Sequence, residues 1–278
     1  MTKTAKPSQS FIDEIATLVL QTLDSRTQIA PITGTHKDFD LETAYAVNAR
    51  VAELRTARGE QAVGRKLGFT NRNIWAEYNV YAPIWSYMYD TTVTSIDPEG
   101  ANFDLASVVE PRIEPDITLS LKRTPQPGMN EDEIFACLDW VAHGFEIVQS
   151  LFPGWKFAPA DTVAALGLHG RLLLGPQHVI NAGNARAWRQ HLDSFDVALY
   201  RNGAVIDRGH ARNVLGGPLS ALKDFVEVLA NDRFNPPLQA GEFITTGTIT
   251  RAFPIVHGET WRSEFSGAPF ESLKIWIA

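Results

Sequence analysis

The segment RIEPDITLSL, residues 112–121, constrains the fold more than any other stretch of this chain. Side chains alternate between the two faces of an extended strand. Ile113, Ile117, Leu119 and Leu121 therefore share one face, while Glu114, Asp116, Thr118 and Ser120 share the other. The run predicts a strand with one apolar and one acid-bearing surface. Glu114 and Asp116 then point the same way, about 6.6 Å apart along the backbone. Two carboxylates that close repel unless water screens them or a cation lies between, and a hard cation such as Mg²⁺ prefers oxygen ligands. Spacing alone favours the plainer explanation, a solvated acidic strand face. Glu146 shifts the balance, because Phe145, Ile147 and Val148 flank it and an unpaired carboxylate is costly to bury there. A third acid in an apolar strand calls for a metal, a lysine or an arginine. Glu110, beyond Pro111, is a spare acid nearby.

The remainder predicts an α+β chain with helices early and a β-rich body afterwards. Residues 10–24 and 41–58 carry helical apolar stripes (Phe11, Ile15, Leu18, Val19 and Leu23; Ala44, Val47, Val51 and Leu54), the first with Ser10 as a plausible cap and the second stopped by Gly59. GRKLGF reads as a short strand and 71–79 as a helical turn, within an aromatic-rich stretch from Phe69 to Tyr89. The character changes near residue 100, which suggests a division into residues 1–100 and 101–278. Asn130 caps a helix expected to run through EDEIFACLDWVAH, and GFEIVQS follows as a buried strand. Asn202-Gly203 suits a tight hairpin, Gly217-Pro218 opens a helix over 217–230, and 241–278 reads as strands and turns.

Composition excludes several classes. The net charge of −7 with no basic block argues against nucleic acid or acidic lipid as partner. The opening MTKTAKPSQSFIDEIA has no long apolar run, and no later stretch approaches the ~20 apolar residues of a membrane span, so a cytoplasmic location is expected. The single cysteine, Cys137, sits among apolar residues and reads as core. There is no Gly-rich phosphate loop, GxSxG elbow, HExxH or CxxC. His143 reads as a helix-end histidine, and His169, in GLHGR, is a weaker site candidate. Lys66 lies between glycines, where it either stabilises an enolate or simply pairs with one of the acids. Among the aromatics, Trp75 and Tyr78 read as core, and Trp85 as the wall of a substrate pocket whose removal would alter preference more than stability.

Taken in order, these pieces resemble the 2-keto-4-pentenoate hydratase and 4-oxalocrotonate decarboxylase group of the fumarylacetoacetate hydrolase superfamily. VGRKLGFTNRNIW is similar to its lysine-bearing strand, RIEPDITLSL to its acidic strand, WVAHGFEIVQS to the strand with the third acid, and LQAGEFITTGTITRAFPIVHGETWRSEF to its closing β segment; PITGTHKDFDLETAYAVNARVAELR and GHARNVLGGPLSALKDFVEVLA match helical pieces. The resemblance implies a helical N-terminal segment before a mixed β-roll body, Mg²⁺ or Mn²⁺ held by Glu114, Asp116 and Glu146, and a catalytic set of Lys66, Asp161 and His169. Trp85, Thr246 and Gly247 are its candidate substrate contacts. It implies a homo-oligomer acting on 2-hydroxydienoates or 2-oxo acids from aromatic degradation, in a complex with a homologous pathway enzyme in some members. Hydration leads and decarboxylation is the alternative; a non-catalytic partner subunit is the third. Three departures stand out: Asp116 where Glu is usual, Ile84 where hydratases of the group typically carry an acid, and DTVAALGLHG, which keeps Asp161 but places His169 where small hydroxyl residues are common.

Overall fold

The computed structural model describes residues 8–78, 81 and 83–278. Helix α1 (Gln9–Ser25) is capped by Ser8, two residues before the expected Ser10. A short α2 (Ile32–Thr35) leads to α3 (Leu41–Ala57), which Asp40 caps through the Thr43 amide. The apolar stripes of α1 and α3 pack on each other, burying Ile15, Val19, Val47 and Val51.

Strand β1 (Ala62–Gly68) follows, then the helical turn at 72–74 and α4 (Trp75–Tyr78). Residue 79, the end of the expected turn, and the side chain of Tyr78 lie outside the described structure. Strands β2 (Ile84–Tyr89), β3 (Val93–Ser95) and β4 (Ala101–Phe103) precede β5 (Arg112–Leu121). Helix α5 (Glu131–Phe135) is shorter than its sequence suggests, because β6 (Leu138–Val148) begins where the helix was expected to continue. Asn130 closes a capping box with Glu133, so the helix starts as expected. From Leu138 onward, pairing with β5 across most of its length overrides helix propensity. His143 is consequently a strand residue. It is buried, its Nδ1 3.3 Å from the Asp116 carbonyl and its Nε2 2.5 Å from Ser263 Oγ.

Then come α6 (Pro159–Ala164), β7 (His169–Leu174), β8 (His178–Val179) and α7 (Ala185–Asp193). The expected hairpin is β9 (Asp196–Arg201) with β10 (Ala204–His210), its turn residues Asn202 and Gly203 both at positive φ. Helix α8 (Pro218–Ala230), β11 (Phe243–Thr245), β12 (Phe253–Pro254), β13 (Thr260–Ser266) and β14 (Leu273–Ile277) complete the chain. The main sheet runs β2-β1-β11-β5-β6-β7-β3, with β12 and β8 paired at its margins, and a second sheet runs β10-β9-β13-β14-β4. Strands from both the first hundred residues and the later body thus share the main sheet. Cys137 is a buried free thiol, and no helix among the described residues is long and apolar enough to cross a membrane.

Trp85 belongs to the largest apolar core, stacked on Tyr45 at 5.5 Å and packed against Phe225, with only 1% of its surface exposed. Trp85→Ala is expected to lower stability by about 3 kcal/mol, measured by urea unfolding. An unchanged midpoint would show that the ring contributes little to the core.

Candidate metal and active site

Register places the site before any distance is measured. Residues directly opposite in paired strands project to the same face. Glu114 pairs with Glu146 and Asp116 with Gly144 across β5 and β6; Thr118 pairs with Thr245, Thr245 with Lys66, and Lys66 with Ser86. One face of the main sheet therefore gathers Ser86, Lys66, Thr245, Thr118, Asp116, Glu114 and Glu146. Met88, Ala142, Leu172 and Leu174 form an apolar cluster beside them on this face. The acid face inferred from the alternation in β5 is buried rather than solvated: Asp116 and Glu146 are fully covered and Glu114 nearly so.

Each group has distinct partners. Glu146 Oε1 lies 3.4 Å from Lys66 Nζ and 2.9 Å from His169 Nδ1, while its Oε2 is buried without a hydrogen-bond partner. His169 Nε2 in turn meets Thr92 Oγ1 at 2.9 Å, so the ring is pinned at both nitrogens. Asp116 accepts the backbone N–H of Thr246 and of Gly247, one on each oxygen at 3.0 Å. That turn needs glycine: φ at Gly247 is 93°, and a Cβ would stand 2.0 Å from Thr70 Oγ1. Ser86 donates to Asn48 Oδ1 at 2.7 Å, which ties α3 to the strand beside Lys66. Thr118 Oγ1, Thr245 Oγ1 and Asn48 Nδ2 are buried without partners among the described residues.

The electrostatics follow from this crowding. Burial pushes the Glu114 carboxyl up to about 7, with Glu146 adding to the rise against Lys66 and Arg112. Burial, Glu146 and Glu114 hold Asp116 well above its usual range. Glu146 goes the other way: burial raises it, but Lys66 and the His169 hydrogen bond outweigh that and leave it lowered. Burial also lowers His169. Between Glu114 and Asp116 the metal-free protein holds carboxyls that ionise more readily when unfolded. Their contribution to stability is complete below the ordinary carboxyl range and is lost as pH rises through about 7 for Glu114. The opposite contribution of Glu146 is lost only as pH falls below that range. The chelated protein is expected to melt at a lower temperature at pH 8 than at pH 5.5, and saturating Mg²⁺ should narrow the gap; scanning calorimetry with EDTA and with Mg²⁺ would check it.

Among the described residues, no three Asp, Glu, His or Cys side chains are gathered closely enough to hold one ion as they stand. The donor set nonetheless fits a hard cation, with three buried carboxylates on one face and an orphaned oxygen on Glu146. Lys66 and the Asp116 amides occupy the oxygens meanwhile. A narrow cleft of about 20 Å³ reaches Lys66 and Glu114 past Phe69, Val148, Trp155, Leu168 and Thr248. It admits an ion or one water, so a larger ligand requires that rim to part.

The other sequence candidates are placed as follows. Asp161 is buried in the first turn of α6, where its carboxylate accepts from the Thr33 amide, Thr33 Oγ1 and the Ala158 amide. It fixes the approach of α2 to α6. Thr246 and Gly247 meet the site through their amides to Asp116. Trp85 points to the opposite face from Lys66, because its neighbour Ser86 is the residue paired with the lysine. Glu110 is exposed, its carboxylate taken by the Gly154 amide. Ile84 shares the face of Ser86 and packs in the same apolar cluster as Phe69, Val148 and Leu168, three residues of the cleft rim.

Sequence reasoning missed Thr92, Asn48 and Ser86. It also missed the backbone of Leu166, Gly167 and Leu168, three successive residues at φ 55°, 62° and 65°. Left-handed leucines cost about 1–2 kcal/mol each. This turn passes over Lys66, and a Cβ on Gly167 would lie 3.5 Å from the lysine Cδ. The segment AALGLHG is thus the strained stretch that delivers His169 to Glu146.

No family model matches the chain. It is 28% identical to 2-hydroxyhexa-2,4-dienoate hydratase of Comamonas testosteroni over 260 residues, 93% of this chain and 95% of that one. It is also 28% identical to 4-oxalocrotonate decarboxylase of Pseudomonas sp. strain CF600 over 240 residues, 86% and 87% of the two chains. The solved 4-oxalocrotonate decarboxylase from Pseudomonas putida G7, complexed with magnesium and adipate, superposes with a TM-score of 0.88 at 25% identity, covering 99% of this chain and all of that one. The α+β architecture expected from the sequence is that of these neighbours: N-terminal helices, then a mixed, curled β body.

Proposed function

We infer the reaction from descent: the chain is a homologue of the 2-keto-4-pentenoate hydratases and 4-oxalocrotonate decarboxylases of the fumarylacetoacetate hydrolase superfamily. We propose that it is a metal-dependent lyase acting on a 2-oxo or 2-hydroxydienoic acid, with Glu114, Asp116 and Glu146 holding Mg²⁺ or Mn²⁺. The observation that carries this is the set of three buried carboxylates on one sheet face, with Lys66 paired to Glu146 and Glu146 Oε2 unpartnered among the described residues. A bound divalent ion supplies Lewis-acid stabilisation to the oxygens of such a substrate.

The chain's own residues do the rest. Lys66 is held by Glu146 at the cleft wall, where its charge opposes negative charge developing on a substrate oxygen. His169, bonded to Thr92, orients Glu146. The Thr246 and Gly247 amides hold the Asp116 carboxylate in place on the sheet face. Phe69, Val148 and Leu168 keep bulk water from Lys66.

Addition of water to a dienoate is the leading reaction. Ile84 favours decarboxylation of a vinylogous β-keto acid as the second reading, since an apolar side chain packed against the rim residues Phe69, Val148 and Leu168 offers no group to move a proton to or from water. Incubation with 2-hydroxypenta-2,4-dienoate and with 4-oxalocrotonate, with Mg²⁺ or Mn²⁺ and with EDTA, separates the two by loss of ultraviolet absorbance and by released CO₂. Turnover of neither with metal present would remove both assignments.

A further inference from the structure

We propose that a second cavity, at the Thr92 end of the His169 ring, binds a small dianion: a short dicarboxylate or a phosphate-like oxyanion. The cavity holds about 250 Å³ and is lined by Arg26, Arg55, Arg58 and Arg171, with Asp24 and Glu60 as its acids. Glu146 is bonded to the other nitrogen of His169 and does not line this cavity, and the Leu166–Leu168 turn divides it from the metal-side cleft.

The four arginines fall into two pairs. Arg55 and Arg58 are neutralised in place: Arg55 bonds Glu60 Oε2 at 3.0 Å through Nε and lies 3.9 Å over the Tyr89 ring, and Arg58 reaches Asp24 at 2.6 Å and Glu60 at 2.9 Å. Arg26 and Arg171 make no ion pair among the described residues; Arg171 Nη1 only donates to the Gly170 carbonyl at 2.9 Å. Burial, then the nearby Arg26 and Arg55, push Arg171 below its ordinary value, with Asp104 the one acid pulling against them.

Two guanidinium groups with no ion-pair partner among the described residues therefore face a cavity whose own acids, Asp24 and Glu60, are already paired with Arg55 and Arg58. Guanidinium forks match carboxylate and phosphate oxygens in pairs. Thr91, Thr92 and Ser107 line the same cavity, but their hydroxyl protons are committed to Glu60, the Tyr89 carbonyl and the Asp104 carbonyl, which leaves the guanidinium groups to meet the ligand's charge. The volume suits a four-to-six-carbon dicarboxylate or an inorganic phosphate rather than a nucleotide.

Calorimetric titration of the full chain, stripped of metal and exchanged into chelator-free, phosphate-free buffer, with succinate, phosphate and acetate as separate probes, tests this independently of the lyase reading. The expected result is one site for succinate or phosphate, with acetate weaker. Loss of one charged contact should weaken binding by about tenfold or more in R171Q and in R26Q. Arg26 is exposed, so its variant keeps the test valid if R171Q fails to fold. Binding should persist in E114Q, which separates this cavity from the carboxylate site. Tighter binding of succinate than phosphate would assign a carboxylate ligand, and the reverse a phosphate. No dianion binding by the folded wild type, or binding untouched by R26Q, or binding abolished by E114Q, would overturn the proposal.

Discussion

Lys66→Met is expected to lower kcat/KM by about 10²–10³, because charge stabilisation at a developing oxyanion is worth that much in a water-poor site. Lys66 is 3% exposed and touches a fully buried Glu146, so the loss should be felt twice. Removing one partner of a buried pair leaves the other uncompensated and costs about 3–5 kcal/mol. Urea unfolding in EDTA should show that loss, and excess Mg²⁺ should recover much of it by supplying the missing cation. Steady-state kinetics at saturating metal read the first effect separately. If K66M is destabilised but keeps its turnover, Lys66 is an ion-pair partner and nothing more.

Glu146→Gln is expected to weaken Mg²⁺ binding more than about a hundredfold, since loss of an outer-shell partner alone costs 10–100-fold and this is a direct ligand in the proposed set. The same change removes one of the charges that raise Glu114. The Glu114 carboxyl should therefore titrate lower in the variant than in the wild type, a shift that carbon-detected NMR of the chelated protein would follow. Retention of metal affinity together with an unmoved Glu114 would mean that Glu146 is isolated from the other two acids.

Much of the site was legible because of period-two alternation: once β5 is a strand, Glu114 and Asp116 share a face unless a bulge intervenes, and the register with β6 is unbroken from Arg112 to Leu119. Glu146 was legible for another reason, the cost of burying a charge between Phe145 and Ile147. Its direct opposition to Glu114 was not, because register between two strands depends on the whole pairing, and the first half of β6 has a helical apolar pattern. The same ambiguity hid the strand position of His143.

Trp85 illustrates a different limit. Every residue of β2 is buried, so its sequence, IWSYMY, contains no polar face from which to orient it. Only the pairing of Ser86 with Lys66 turns the tryptophan away from the acids. Asp161 entered the expected catalytic set through the resemblance alone, and its observed partners at Thr33 lie far away in sequence and bear no local signal. His169 was a weak candidate in a loop-like run. Its contact with Glu146 depends on left-handed leucines that propensity rules would not place there.

If a divalent cation is what lets Glu114, Asp116 and Glu146 sit together, the folded wild-type chain titrated with Mn²⁺ at pH 7.5 and followed by electron paramagnetic resonance should bind one Mn²⁺ per chain, displaced by Mg²⁺ and lost in E114Q. A folded wild type that leaves all added Mn²⁺ free in solution would mean that no cation joins the three acids.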